Sequence, residues 1–160
     1  MGYYDAIAKS YDGLHKEEQL KKFSIIKSRI KTGKSTRILD VGCGTGISSG
    51  FGCFTIGIDS SIGLLRQNKR SNRVLAMAEE LPFKSGSFDH VVCVTALHNF
   101  MDAKRALLEM ERVGRENFVF SILKKSQKFK DIAKLIKGNF SVDREIEEEK
   151  DAIFFCRRKS

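Results

Sequence analysis

Apolar residues change their spacing repeatedly along this chain, and each change marks an element. From Ile7 to Ile30, Leu20, Phe23, Ile26 and Ile30 recur at three- and four-residue steps with lysines between them. That spacing predicts a mostly helical segment with one buried face. Gly33, Lys34 and Ser35 break the pattern. Short apolar runs follow: Arg37–Val41, Phe54–Ile58 ending at Asp59, Val74–Ala76, Phe88–Thr95 and Asn117–Leu123. Their length and branched residues, as in Val91-Val92-Cys93-Val94, predict strands. Helical segments separate them. Ile62–Asn68 follows Ser60 and Ser61, either of which can cap it, because a serine oxygen satisfies the free N–H groups of a helix start. Asp102 caps a helix through Val113, with Ala106, Leu107, Met110 and Val113 facing inward and Gly114 as its stop. Lys128–Lys137 reads as a basic amphipathic helix ended by Gly138. The last two strands, Phe140–Glu147 and Ala152–Arg158, are joined only by the charged turn Glu148–Asp151, so they should form an antiparallel hairpin.

Strands alternating with helices imply parallel crossovers and a sheet covered on both faces. The expected fold class is therefore α/β, doubly wound, with a mostly parallel seven-stranded sheet and a C-terminal antiparallel hairpin. Without a Pro- or Gly-rich linker or an internal repeat, residues 1–160 read as a single domain, with an N-terminal segment over 1–34 and a core over 35–160. At 160 residues, 41% hydrophobic and 31% charged, the composition suits a soluble globular chain. It holds no apolar run near the ~20 residues of a membrane span. The first residues lack a basic region followed by an apolar stretch, and Ala6 stands where a myristoylation signal needs Ser or Thr. Cys43, Cys53, Cys93 and Cys156 form no CxxC pair, and no His stands at metal-ligand spacing to them. Reduced thiols, a cytoplasmic location and no metal are the expectations.

The net charge of +9 is unevenly spread. Acids and bases balance from Ile38 to Leu123, and the excess lies in the two flanks. Lys124–Lys137 alone holds six lysines against one aspartate. Such a block steers acidic partners, RNA included, although a solvated helix face is the plainer reading.

Chemistry concentrates at Asp40-Val41-Gly42-Cys43-Gly44-Thr45-Gly46, at the end of the first strand. Ligands of open α/β sheets bind beyond the carboxyl ends of the strands. Glycines there let the backbone turn tightly and approach a ligand. Asp59 ends the next strand, where a carboxylate can accept both hydroxyls of a ribose. Together these features describe a site for an adenosine-containing cofactor. The glycines run G-x-G-x-G, which is not the G-x-G-x-x-G of a dinucleotide cradle.

Ile38-Leu39-Asp40-Val41-Gly42-Cys43-Gly44-Thr45-Gly46 resembles motif I of the class I S-adenosylmethionine-dependent methyltransferases. The resemblance continues in order through Gly57–Ser61, Ala78–Phe83 and Ser87–Val92, and is closest to the branch of the ubiquinone and menaquinone methyltransferases (type 11). It implies the Rossmann-like methyltransferase fold, S-adenosylmethionine as cofactor and methyl transfer as activity. By that resemblance Asp40 anchors the turn and approaches the cofactor's ammonium. The backbone of Gly42, Cys43, Gly44, Thr45 and Gly46 lines its methionine and ribose part. Asp59 holds the ribose hydroxyls, Ser60 borders the adenine, and Met77, Ala78 and Glu79 face the adenine edge. Thr95 lies under the cofactor. The opening Tyr3–Asp12 is similar to the family's N-terminal lid, so Tyr11 is expected to close over the methionine end. Three departures stand out. Met77 replaces an acid or amide, only Ile47–Cys53 separates Gly46 from the second strand, and no substrate cap precedes Phe140.

Methyl transfer from a sulfonium proceeds largely by proximity and orientation, and a general base matters only where the nucleophile must lose a proton. His98, just past the fourth strand, is the candidate catalytic residue, against the common alternative of a structural histidine. An Asn/Asp-Pro-Pro-aromatic motif is absent there, which argues against adenine N6 or a glutamine amide as acceptor. Phe100, Phe129 and Phe140 are candidates for base stacking, with core packing expected for at least two. The open site and basic flanks favour a large acceptor, such as tRNA, rRNA or a protein of translation, and leave room for an activator subunit. A quinone-like small molecule, or an inactive cofactor-binding scaffold, are the alternatives.

Overall fold

A computed structural model describes the backbone of residues 3–47 and 50–160 and the side chains of residues 16–47 and 50–160. Among the described residues, seven strands form one sheet: β1 (Arg37–Val41), β2 (Phe54–Asp59), β3 (Arg73–Leu75), β4 (Phe88–Val94), β5 (Gly114–Leu123), β6 (Phe140–Glu147) and β7 (Asp151–Arg158). Four α-helices accompany them: α1 (Tyr3–Arg29), α2 (Ile62–Gln67), α3 (Ala103–Val113) and α4 (Phe129–Asn139). The spatial order is β3-β2-β1-β4-β5-β7-β6. The first five strands pair in parallel, and β7 runs antiparallel to both β5 and β6. The doubly wound sheet with its terminal hairpin is thus as the sequence predicts.

Alternation along the strands divides the core. Ile38, Val92, Val94, Val119 and Ile153 face α1 through Phe23 and Ile26. Leu39, Val91, Cys93, Phe118, Phe120 and Phe154 face the other way, onto Leu107 and Met110 of α3 and Ile132 and Ile136 of α4. A strand buried on both faces has no polar alternation, which is why β4 carries the apolar run Val91–Val94 and β1 the pair Ile38-Leu39. The order reverses between β1 and β4, one strand leading toward β2 and the other toward β5. Such a switch point opens a crevice beyond the strand ends.

The caps are as expected at two starts. Ser61 Oγ accepts from Leu64 N at 3.2 Å, and Asp102 Oδ1 accepts from Arg105 N at 2.9 Å. Helix α3 ends at Val113 as expected, with Gly114 as its C-cap, the Gly114 N–H donating to Met110 O. Gly114, at φ −82°, also begins β5. Its value is space: an added Cβ would sit 2.5 Å from the Phe118 ring and 2.9 Å from Val91. Gly138 does not stop α4, which runs on to Asn139. Strand β7 begins at Asp151, one residue inside the expected turn. The described residues between Gly46 and β2 form turns and bends without a helix.

Candidate cofactor and active site

The turn after β1 is bent by its glycines and braced by neighbouring strands. Gly42, Gly44 and Gly46 adopt φ of 77°, 53° and 86°, a region that side chains with a Cβ seldom enter. Gly42 N and Cys43 N both donate to Ile58 O, at 2.8 and 2.9 Å. Asp59 closes the arrangement: Oδ2 accepts from Gly44 N at 2.9 Å, and Oδ1 accepts from Ser61 N at 2.8 Å. One carboxylate therefore fixes the turn and the start of α2 while remaining at the pocket wall. Buried Asn68, which the sequence reading did not single out, braces the turn from behind, its amide donating to Gly44 O at 3.2 Å.

Cys43 and Gly46 belong to this brace. Gly57 in β2 leaves room for the Cys43 side chain, since a Cβ there would lie 2.6 Å from Cys43 Sγ. A Cβ on Gly46 would strike the Asn68 amide at 2.4 Å. Burial pushes the Cys43 thiol far above its usual range, and the Asp40 and Asp59 carboxylates add to it. This thiol is a packing group and no nucleophile.

In front of the turn lies a pocket open to solvent. Gly42, Gly44, Asp59 and Ser60 form one wall, and Ala76, Met77, Ala78 and Glu79 form another. Thr95, Ala96, Asn99, Phe100 and Met101 close it from the β4 side. A smaller cleft under α1 holds Gln19, Phe23, Cys43, Thr45 and Ile47. Of the sequence-predicted positions, Gly42, Gly44, Asp59, Ser60, Met77, Ala78, Glu79 and Thr95 meet around the main pocket. Cys43 and Thr45 line the cleft, and Asp40 is buried at the end of β1. The Tyr11 side chain lies outside the described residues. His98 belongs to the short 3₁₀ turn Leu97–Asn99 beside the pocket and is not among its lining residues.

The residues present fit an adenosine-type ligand. A narrow apolar slot of Ile58, Leu64, Ala76 and Ala78 suits a flat ring, and Asp59 offers acceptors for a diol. The Gly42 position would not admit a side chain at all, because a Cβ there would lie 2.6 Å from Ala96 Cβ. Such a cradle leaves the backbone bare toward the pocket. Phe100, one of the stacking candidates, lines the pocket, and Met101 is an addition to the sequence reading. Its signal was faint: a single methionine directly after Phe100. Phe140 is core, its ring tilted against Phe118 and Phe120 with centroids within 5.0 Å of both, and Phe129 packs against the same core.

Behind Thr95 is a second feature, one that the sequence did not announce. Lys22 of α1 and Asp151 of β7 form an ion pair at 3.2 Å with side chains only 2% and 0% exposed. Both meet the Thr95 hydroxyl: Lys22 Nζ donates to Thr95 Oγ1 at 2.6 Å, and Thr95 Oγ1 donates to Asp151 Oδ2 at 2.7 Å. Ser121 Oγ of β5 donates to Asp151 Oδ2 at 3.2 Å and accepts from Thr95 N at 2.9 Å. The only sequence trace of Lys22 is its place beside Gln19, Phe23 and Ile26 on the buried face of α1. His98 stands near this cluster. Burial lowers the imidazole pKa, the Asp151 carboxylate raises it, and the Lys128 and Lys22 ammonium groups lower it. His98 Nδ1 is buried with no partner among the described residues.

Comparison with known proteins agrees with this geometry. Residues 39–122 match the model of the methyltransferase domain, type 11. The chain is 37% identical over 145 residues to uncharacterized protein MJ1252 of Methanocaldococcus jannaschii, covering 86% of this chain and 57% of that protein. It is 30% identical over 124 residues to a demethylmenaquinone methyltransferase of Mycolicibacterium paratuberculosis, covering 70% of this chain and 53% of that protein. The chain thus spans little more than half the length of these relatives. A solved chain from the Haloferax volcanii complex with the Trm112 methyltransferase activator has the same fold, with a TM-score of 0.82 at 13% identity, covering 100% of this chain and 99% of that chain. No helix among the described residues is long and apolar enough to cross a membrane, and no cluster of metal-binding side chains occurs among them. The chain belongs to the type 11 methyltransferase-domain family, whose cofactor is S-adenosylmethionine.

Proposed function

We propose that this chain methylates a large, polyanionic acceptor, an RNA, at the open mouth of the pocket. The observation that carries the reading is where the positive charge lies. Lys124, Lys125 and Lys128 follow β5 directly, so they leave the sheet at the same strand-end edge as Gly42 and Thr95. Lys128 is close enough to act on His98 electrostatically. Cations beside an uncapped pocket attract a phosphate backbone and leave its bases free to enter.

When bound, S-adenosylmethionine supplies an electrophilic methyl carbon on a sulfonium. The Gly42–Gly46 backbone and Asp59 orient that group, and Phe100 lines the β4 side of the pocket. His98, beside the pocket rather than in its lining, is the candidate base for an acceptor that must lose a proton, since burial favours its neutral form. Exposed Leu75 on edge strand β3, with exposed Met77 two residues on, gives a protein activator apolar surface to cover. The Trm112 activator beside the Haloferax fold relative motivates that partner.

A small quinone-like acceptor is the second reading. It is favoured by the demethylmenaquinone methyltransferase relative and by the apolar rim, where Met77 is 47% and Met101 89% exposed. The test is transfer of labelled methyl into a cell extract split into RNA, protein and lipid fractions. Label in RNA is the expected result. Label confined to lipid selects the quinone-like reading, label confined to protein overturns the RNA assignment, and no label in any fraction overturns methyl transfer itself.

A further inference from the structure

Three costly features coincide behind Thr95. Thr95 is a β-branched residue at φ 53°, the only non-glycine with positive φ among the described residues. Such a conformation is a genuine outlier and persists only where its surroundings over-determine it. Lys22 and Asp151 are charges withdrawn almost fully from water. Desolvation of that kind is repaid only by good geometry and further hydrogen bonds. Finally, Asp151 is lopsided: Oδ2 takes Lys22, Thr95 and Ser121, while the equally buried Oδ1 has no partner among the described residues. Local rules broken together in one place point to function more than to stability.

The donors and acceptors also show what the cluster does. Thr95 Oγ1 has one proton, which goes to Asp151, and its lone pair receives Lys22. Its backbone N–H is held by both Ser121 O, at 3.1 Å, and Ser121 Oγ, at 2.9 Å. Every polar atom of Thr95 except its carbonyl is thus committed to α1, β5 or β7, while the residue itself lines the cofactor pocket. Ala96, next in the chain, is the atom-scale wall against which Gly42 packs. Shifting Thr95 must shift Ala96 and with it the gap that the glycine turn fills.

We propose that Lys22 and Asp151 are positioning residues for the cofactor site: through Thr95 they couple the seating of α1 to the shape of the pocket floor. The inference rests on the assignment of the pocket to S-adenosylmethionine. By linkage, cofactor binding must strengthen α1 docking as much as docking strengthens binding. The neighbouring ion pairs Lys150–Glu18 and Lys21–Glu148 also join α1 to the hairpin turn, but each has at least one exposed partner and neither bonds to Thr95. They serve as the internal control.

The test uses S-adenosylhomocysteine as the probe, by calorimetric titration and by hydrogen exchange of the 16–29 backbone with and without it. Lys22→Met and Asp151→Asn are each expected to weaken binding tenfold or more, and to abolish the protection that the probe confers on α1 in the wild type. Ser121→Ala, which leaves no charge stranded and keeps the variant testable if the other two fail to fold, should weaken it three- to tenfold. Lys150→Met should leave affinity within twofold. If Ser121→Ala and the foldable ion-pair variants lower thermal stability yet bind the probe within twofold of the wild type, the cluster is a structural brace and the proposal is overturned. If the wild type itself binds no probe, the cofactor assignment fails instead, which is a separate outcome.

Discussion

The two sides of the cofactor pocket are built by opposite means. The β1 side is made of backbone: three glycines with positive φ, N–H groups aimed at Ile58 O and Asp59, and no room for a side chain at Gly42. The β4 side is made of side chains from four places in the chain, with Lys22, Thr95, Ser121 and Asp151 meeting across as many as 129 sequence positions. The first wall is local and tolerates no added atom. The second is assembled only when the sheet closes, so its precision depends on α1, β5 and β7 arriving in register. A site that must grip a charged, flexible cofactor has one wall fixed by covalent geometry and another adjustable through packing.

That contrast orders the expected effects of mutation. Gly42→Ala should be the most severe, because it combines a left-handed φ with a Cβ 2.6 Å from Ala96. Loss of cofactor binding by 100-fold or more is expected, equivalent to about 2.7 kcal/mol or more, with calorimetry as the check. Gly52→Ala, also at positive φ but with open space around it, should cost only stability, about 1 kcal/mol, in thermal unfolding. Next in size, Asp59→Ala removes the acceptor for Gly44 N and Ser61 N together with the diol acceptors. It should weaken the cofactor by about 10- to 100-fold, or 1.4–2.7 kcal/mol. Asp59→Asn should fall between Asp59→Ala and wild type, because one carbonyl oxygen remains.

On the β4 side the effect is electrostatic and signed. Asp151→Asn should lower the His98 pKa and Lys128→Met should raise it, read by proton NMR of the imidazole in the ligand-free protein. If neutral His98 is the working base, activity is lost as pH falls through its pKa. The acid limb of the rate profile should then move to lower pH in Asp151→Asn and to higher pH in Lys128→Met. Matched NMR shifts with an unmoved limb would remove His98 from the chemistry. The smallest effect belongs to the surface: Lys125→Ala should weaken RNA binding evenly across sequences and lower the salt slope by about one.

The same contrast decides how much could be read from the sequence. The glycine turn and Asp59 were legible because strand, turn and acid lie within 22 residues of one another and each carries its own residue type. The mostly parallel sheet and its hairpin followed from alternating periods and a short charged turn. Gly114 ends α3 as expected, but the space it leaves for Phe118 and Val91 depends on tertiary packing, and Gly138, with open space around it, does not end α4. Lys22 and Asp151 were illegible for a deeper reason. A lysine on a basic helix and an aspartate in a charged turn look like solvated residues until the sheet brings them together. Asn68, similarly, is an ordinary helix-end amide until Gly46 and Gly44 close over it.

Titration of the wild-type chain with S-adenosylmethionine, alongside Gly42→Ala, tests the central claim most directly. Saturable one-to-one binding by the wild type, with heat lost in the variant, is the predicted result. An absence of binding at millimolar cofactor, or equal binding by the two proteins, would contradict it.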